Sequence, residues 1–187
     1  APRAKLFNAL LLSLRGSACV YQGEELGLPQ AELPDAVLQD PYGLAFWPSF
    51  KGRDGCRTPM PWNDRETECG FTRGQPWLPL PAEHHPLAVN RQEAAPDSVL
   101  NAFRTFVRWR RGVPALRSGS VRHFDSPADT LCFLREKDGE SLLACFNFGP
   151  TTGEVRIPVP GKLEQLAGHG FVPCAVGRDS VTVPAYG

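Results

Sequence analysis

The sequence has no excess of charge of either sign, because its 20 lysines and arginines are matched by 20 aspartates and glutamates. A chain so balanced has no field that would draw it onto nucleic acid or an anionic membrane. Its one dense basic run, Arg108-Trp109-Arg110-Arg111, lies in a helical pattern and reads as a solvated face. No apolar stretch reaches the roughly 20 residues that cross a bilayer as a helix. There is no Cys-x-x-Cys, and the six cysteines are spread from Cys19 to Cys174, too widely for a compact disulfide framework. They read as free thiols in a reducing compartment, which favours the cytoplasm, with the periplasm as the alternative. Cys132 and Cys145 fall inside apolar runs, where a thiol behaves as a small hydrophobe. His84-His85 has no cysteine or acidic residue at zinc-ligand spacing, so the pair is expected to be solvent-exposed and metal-free. No cofactor is implied, and there is neither an internal repeat nor a low-complexity tail.

What is present begins with a helix. Arg3, Lys5, the apolar residues 6–14 and Ser17-Ala18-Cys19 imitate a secretion signal, but there is no initiating methionine and Arg15 separates the apolar run from the small residues. Leu6, Leu10, Leu11 and Leu14 recur instead at helical spacing and predict a core-facing stripe. The helix starts abruptly, as it would in a chain cut from a longer one. Ala18-Cys19-Val20-Tyr21 then reads as a short buried strand ending at Gln22-Gly23-Glu24-Glu25-Leu26-Gly27. Residues 28–95 follow as a long loop rich in proline, glycine and aromatics; loops of that length are usually functional or disordered. Its aromatic rings argue for an ordered excursion. Asp97-Ser98 supplies an N-cap for a second strong helix that Gly112 and Pro114 end. Beyond about residue 118 the texture changes to short apolar runs around 131–134, 142–146, 154–157 and 180–183. They are separated by turns such as Lys137-Asp138-Gly139-Glu140 and predict a small antiparallel β domain.

Within the long loop, Gly52-Arg53-Asp54-Gly55-Cys56-Arg57-Thr58-Pro59-Met60-Pro61-Trp62 sets two guanidinium groups and a carboxylate between turn formers. An arginine's planar fork suits a carboxylate or paired hydroxyls. A surface loop held by a local Arg-Asp pair fits the same spacing, and the residues alone do not choose between the two.

Five spaced motifs in order resemble the C-terminal portion of the α-glucosidases of glycoside hydrolase family 13, the group that includes oligo-1,6-glucosidase. They are Val20-Tyr21-Gln22-Gly23-Glu24-Glu25-Leu26-Gly27, the 52–62 loop, Gly70-Phe71-Thr72-Arg73-Gly74-Gln75-Pro76-Trp77, Ser98-Val99-Leu100-Asn101, and Pro114-Ala115-Leu116-Arg117-Ser118-Gly119. The likeness covers nearly the whole chain and is weakest after about residue 150. It implies an α/β plus β fold: the last helix-strand-helix part of a (β/α)8 barrel over residues 1–118, followed by an antiparallel β-sandwich domain over 119–187. Residues 4–14 would be the seventh barrel helix, 18–21 the eighth strand and 98–111 the closing helix. Active sites of such barrels lie on the loops after the strands, which would put residues 52–62 at the site mouth.

The family is retaining: an aspartate attacks the anomeric carbon, a glutamate protonates the leaving oxygen and a third acid steadies the transition state. The resemblance implies that all three precede Ala1, so no catalytic residue is assigned in this chain and the isolated piece is expected to be inactive. Adjacent Glu24 and Glu25 would point to opposite faces of a strand and are expected to shape the barrel rim by pairing with arginines such as Arg15 or Arg53. Arg57 matches the arginine that recognises the non-reducing glucose of an α-glucoside oligosaccharide, with Arg53 and Asp54 bracing the loop. Tyr42, Phe46 and Trp47 offer flat rings for stacking on sugar, or else simply pack the loop. The expected partners are that oligosaccharide and the N-terminal barrel portion of the same enzyme. Alternative readings are a non-catalytic carbohydrate-binding or structural module of this family, and a trehalose synthase or sucrose-active relative.

Overall fold

A computed structural model of the chain describes residues 1–157 and 162–187. Its helices are α1 (Pro2–Ser13), α2 (Pro41–Phe46), α3 (Val89–Ala94), α4 (Val99–Arg111) and α5 (Pro114–Ser118). The strands are β1 (Ser120–Phe124), β2 (Thr130–Lys137), β3 (Glu140–Asn147), β4 (Gly153–Arg156), β5 (Ala175–Val176) and β6 (Ser180–Val183). Contacts divide the chain into two compact units, one of Ala1–Cys19 with Ala102–Gly187 and one of Val20–Asn101. That division differs from the change of texture near residue 118.

In the first unit, β1-β2-β3 and β4-β6-β5 form two three-stranded antiparallel sheets. Asp138 and Gly139 have φ of 52° and 84°, the left-handed pair that a tight hairpin turn requires, so Lys137 meets Glu140 and the β2–β3 register is fixed. Side chains alternate across a strand, and β2 is buried on both faces. Phe133 joins Leu6, Ala9 and Leu12 of α1, Phe106 of α4 and Phe146 of β3. Cys132 faces the other way, into a cluster with Val155, Ile157, Val181 and Val183 from the second sheet.

The buried residues of α1 are Leu6, Asn8, Ala9, Leu12 and Ser13; of the expected Leu6, Leu10, Leu11 and Leu14, Leu6 is buried and Leu10 packs against the core only partly buried. Leu14 lies past the last helical residue and is 37% exposed. The C-terminal carbonyls of this helix, which have no partner within it, are met by arginines. Arg110 Nε donates to Leu12 O (2.6 Å) and Arg135 Nη1 to Ser13 O (2.6 Å). Arg135 is wholly buried and also donates to Ser120 O and Gly119 O. The basic run is thus only partly a solvated face: Arg108 and Arg111 are exposed, whereas Arg110 caps α1.

Residues 18–21 form no strand, and Cys19 and Tyr21 are exposed. A strand exists only through pairing, and among the described residues none pairs with this segment. The Val20–Asn101 unit contains no strand among its described residues. It is built from single helical turns, α2 and α3, and from a small core of Leu26, Met60 and Leu100 with Leu28 and Val89 against it. Ser98 Oγ accepts from Asn101 N (3.1 Å), the cap expected at the start of α4.

Candidate functional site

The 52–62 loop hangs on two carboxylates. Asp40 precedes Pro41, and its Oδ1 caps α2 by accepting from Tyr42 N (3.0 Å). Its Oδ2 accepts the backbone N–H of Arg53 (2.9 Å) and lies 3.5 Å from Arg57 Nη1. Asp54 is wholly buried; its Oδ2 takes the N–H groups of Gln39 (2.6 Å) and Asp40 (2.7 Å). The other oxygen, Oδ1, is buried without a hydrogen-bond partner among the described residues and sits 3.9 Å from Arg57 Nη1. The N–H of Arg53 is the main cause that holds the Asp40 carboxyl below its ordinary value. Burial works against it, while the Tyr42 and Gly43 amides and the Arg57 charge add to it.

Two glycines make the arrangement possible. Gly52 has φ of 72°, and a Cβ there would meet Asp40 Cβ at 2.9 Å. A Cβ on Gly55 would come within 2.4 Å of Ala31 O, the residue whose N–H bonds Gly55 O. After the turn at Asp54–Cys56, Thr58, Pro59, Met60 and Pro61 are buried and anchor the C-terminal half of the loop.

Arg57 lines a cleft of about 840 Å³ together with Tyr21, Gln22, Phe50, Lys51 and Arg53. Its side chain is 37% exposed. At the base of the cleft His84 is 1% exposed, which corrects the expectation that both histidines face solvent; only His85 does. The reason is that both ring nitrogens find partners inside: Nε2 donates to Pro29 O (2.8 Å) and Nδ1 accepts from Thr58 Oγ1 (3.4 Å). Gln22 Nε2 donates to Thr58 O (3.1 Å).

The expected site residues divide accordingly. Asp54 and Arg57 are brought together, and Arg53 lines the same cleft, though the group it gives to the carboxylates is its backbone N–H. Tyr42, Phe46 and Trp47 do not line the cleft. Tyr42 and Phe46 lie nearly parallel, 6.4 Å apart, on the exposed side of α2, and Lys51 Nζ sits over the Trp47 ring. Glu24 and Glu25 accept from the backbone N–H groups of Tyr21 and Gly23, closing the turn that follows residues 18–21. In the sequence Asp40 is one of several loop carboxylates, with Asp54 and Asp64, whose mutual distances spacing does not fix. Its signal is Asp-Pro, an N-cap followed by a first-turn proline, which marks a helix start and not a charge partner.

Residues 1–119 match the alpha-amylase catalytic domain, and the chain belongs to that family. The resemblance carried by the five motifs is thereby upheld. A probable alpha-glucosidase of Rhizobium meliloti is 46% identical over 184 residues, 98% of this chain and 33% of that protein. Oligo-1,6-glucosidase of Heyndrickxia coagulans is 28% identical over 80% of this chain and 30% of its own length. Among solved structures, the alpha-glucosyl transfer enzyme XgtA matches with a TM-score of 0.92 at 47% identity, over 98% of this chain and 34% of that one. Trehalulose synthase MutB of Pseudomonas mesoacidophila matches with a TM-score of 0.80 at 25% identity, over 98% and 37%. The chain thus spans about a third of the length of the relatives it matches.

Proposed function

We propose that this chain is the C-terminal third of a retaining, exo-acting α-glucosidase-type enzyme that hydrolyses or transfers terminal α-linked glucose from maltose-like oligosaccharides. In this reading residues 1–118 complete a (β/α)8 barrel. Residues 18–21 become its eighth strand once neighbouring strands supply their ladder bonds, and the two sheets form the domain that follows. The nucleophile, the acid and the stabilising carboxylate belong to earlier barrel strands, so the chain alone is inactive and contributes one wall of the sugar site.

Arg57 carries the proposal. It is a partly exposed cation of the cleft, and two buried or nearly buried carboxylates already flank one side of its guanidinium. Its remaining N–H donors suit adjacent hydroxyls of a terminal glucose, and a fixed cation there favours a chain end over a chain interior. The relatives include both hydrolytic and transferring enzymes, which supports the reaction class without choosing the acceptor.

The test is Arg57→Ala in the intact enzyme, meaning the longer polypeptide that contains this sequence. Loss of a charge-assisted contact to substrate is expected to lower kcat/KM for maltose roughly 10- to 100-fold. Unchanged kinetics would remove Arg57 from substrate recognition. The product distribution from maltose, with and without an added acceptor sugar, separates hydrolysis from transfer.

A further inference from the structure

We propose that Asp40 is the positioning residue for Arg57: it aims the guanidinium into the cleft and so sets affinity for the sugar without touching it. The inference rests on the reading of Arg57 as the contact to substrate.

The geometry has a direction. Asp54 Oδ2 holds the backbone N–H groups of Gln39 and Asp40, which fixes the chain where Asp40 leaves it. Both Asp40 oxygens are then engaged by amides, Oδ1 by Tyr42 and Oδ2 by Arg53. Gly52 closes over the Asp40 side chain so tightly that even a methyl group would collide. A carboxylate bound from both ends and covered from above cannot swing to follow its arginine, so the arginine must follow it.

Arg57 is held at 3.5 Å from Asp40 and 3.9 Å from Asp54, longer than the roughly 2.8 Å of a charge-assisted hydrogen bond. The carboxylates therefore attract Arg57 without saturating its donors, which leaves the fork available on the cleft side. A low-dielectric floor strengthens that attraction, since Asp54 is wholly buried and Asp40 nearly so.

The experiment is a double-mutant cycle in the intact enzyme with maltose as substrate. Asp40→Asn keeps the size and one carbonyl acceptor but removes the charge. It is expected to raise KM about tenfold with kcat retained, and to have no further effect on KM when Arg57 is already alanine. A purely structural role would lower kcat and would add to the Arg57→Ala effect; that outcome overturns the inference while leaving the Arg57 contact intact. If Arg57→Ala is itself silent, the reading beneath the inference fails. Should Asp40→Asn not fold, Asp40→Ser, which keeps an oxygen for the Tyr42 amide and removes the charge, reads the same coupling. Additivity with Arg57→Ala there overturns the proposal equally.

Discussion

Asp40 carries one testable pH dependence. Its carboxyl lies below the ordinary 3.8 in the folded chain, first because of the Arg53 N–H. A depressed folded value means that its contribution to stability is complete above 3.8 and is lost as pH falls through the lower folded value. The Asp64 carboxyl is lowered as well, first by its bond to Asn90 and then by Arg91, so the difference between wild type and Asp40→Asn is what isolates Asp40. Urea midpoints are expected to diverge above about pH 4 and converge below it. Gly55→Ala has a steric signature instead, because its methyl would lie 2.4 Å from Ala31 O. A loss of roughly 1–3 kcal/mol is expected in denaturant unfolding. The sequence makes Arg57 and Asp54 legible as a charged loop, but not Asp40, since the 13 or more positions that separate it from Arg53, Asp54 and Arg57 hide contacts that only folding creates. His84 was equally hidden: two adjacent histidines look alike in a string, and only the neighbouring Pro29 carbonyl and Thr58 hydroxyl distinguish the buried one.

Elements were legible where the signal was local. The β2–β3 hairpin follows from two apolar runs around Asp138-Gly139, and α4 from Ser98, its apolar spacing and Gly112. The phase of α1 was not, because Leu10, Leu11 and Leu12 are consecutive and any of them can face a core; the sheet bearing Phe133 and Phe146 decides in favour of Leu12. Residues 18–21 show the opposite limit: strand composition without a ladder gives no strand. Arg135 ties α1 to the start of β1 through three carbonyls. Arg135→Met would leave those buried acceptors unpaired, and a loss of roughly 3 kcal/mol is expected from thermal or denaturant unfolding, with β-sheet circular dichroism weakened first.

For the molecule as a whole, large apolar side chains remain uncovered: Phe7 is 56% exposed, Trp77 65% and Tyr42 68%. Large apolar side chains left in water favour association. The chain expressed alone is expected to elute as oligomers or aggregates in size-exclusion chromatography with light scattering; a monodisperse monomer would contradict this. The division into two units also orders events in time. Val20–Asn101 is one continuous run, whereas the other unit draws on both ends of the chain, with Leu6 packed against Phe133 and Phe146. During synthesis α1 emerges more than 100 residues before β2 and β3, whose Phe133 and Phe146 it packs against. The packing of α1 on that sheet is therefore secured late, and its leucines are expected to be available to chaperones while the intervening residues are made.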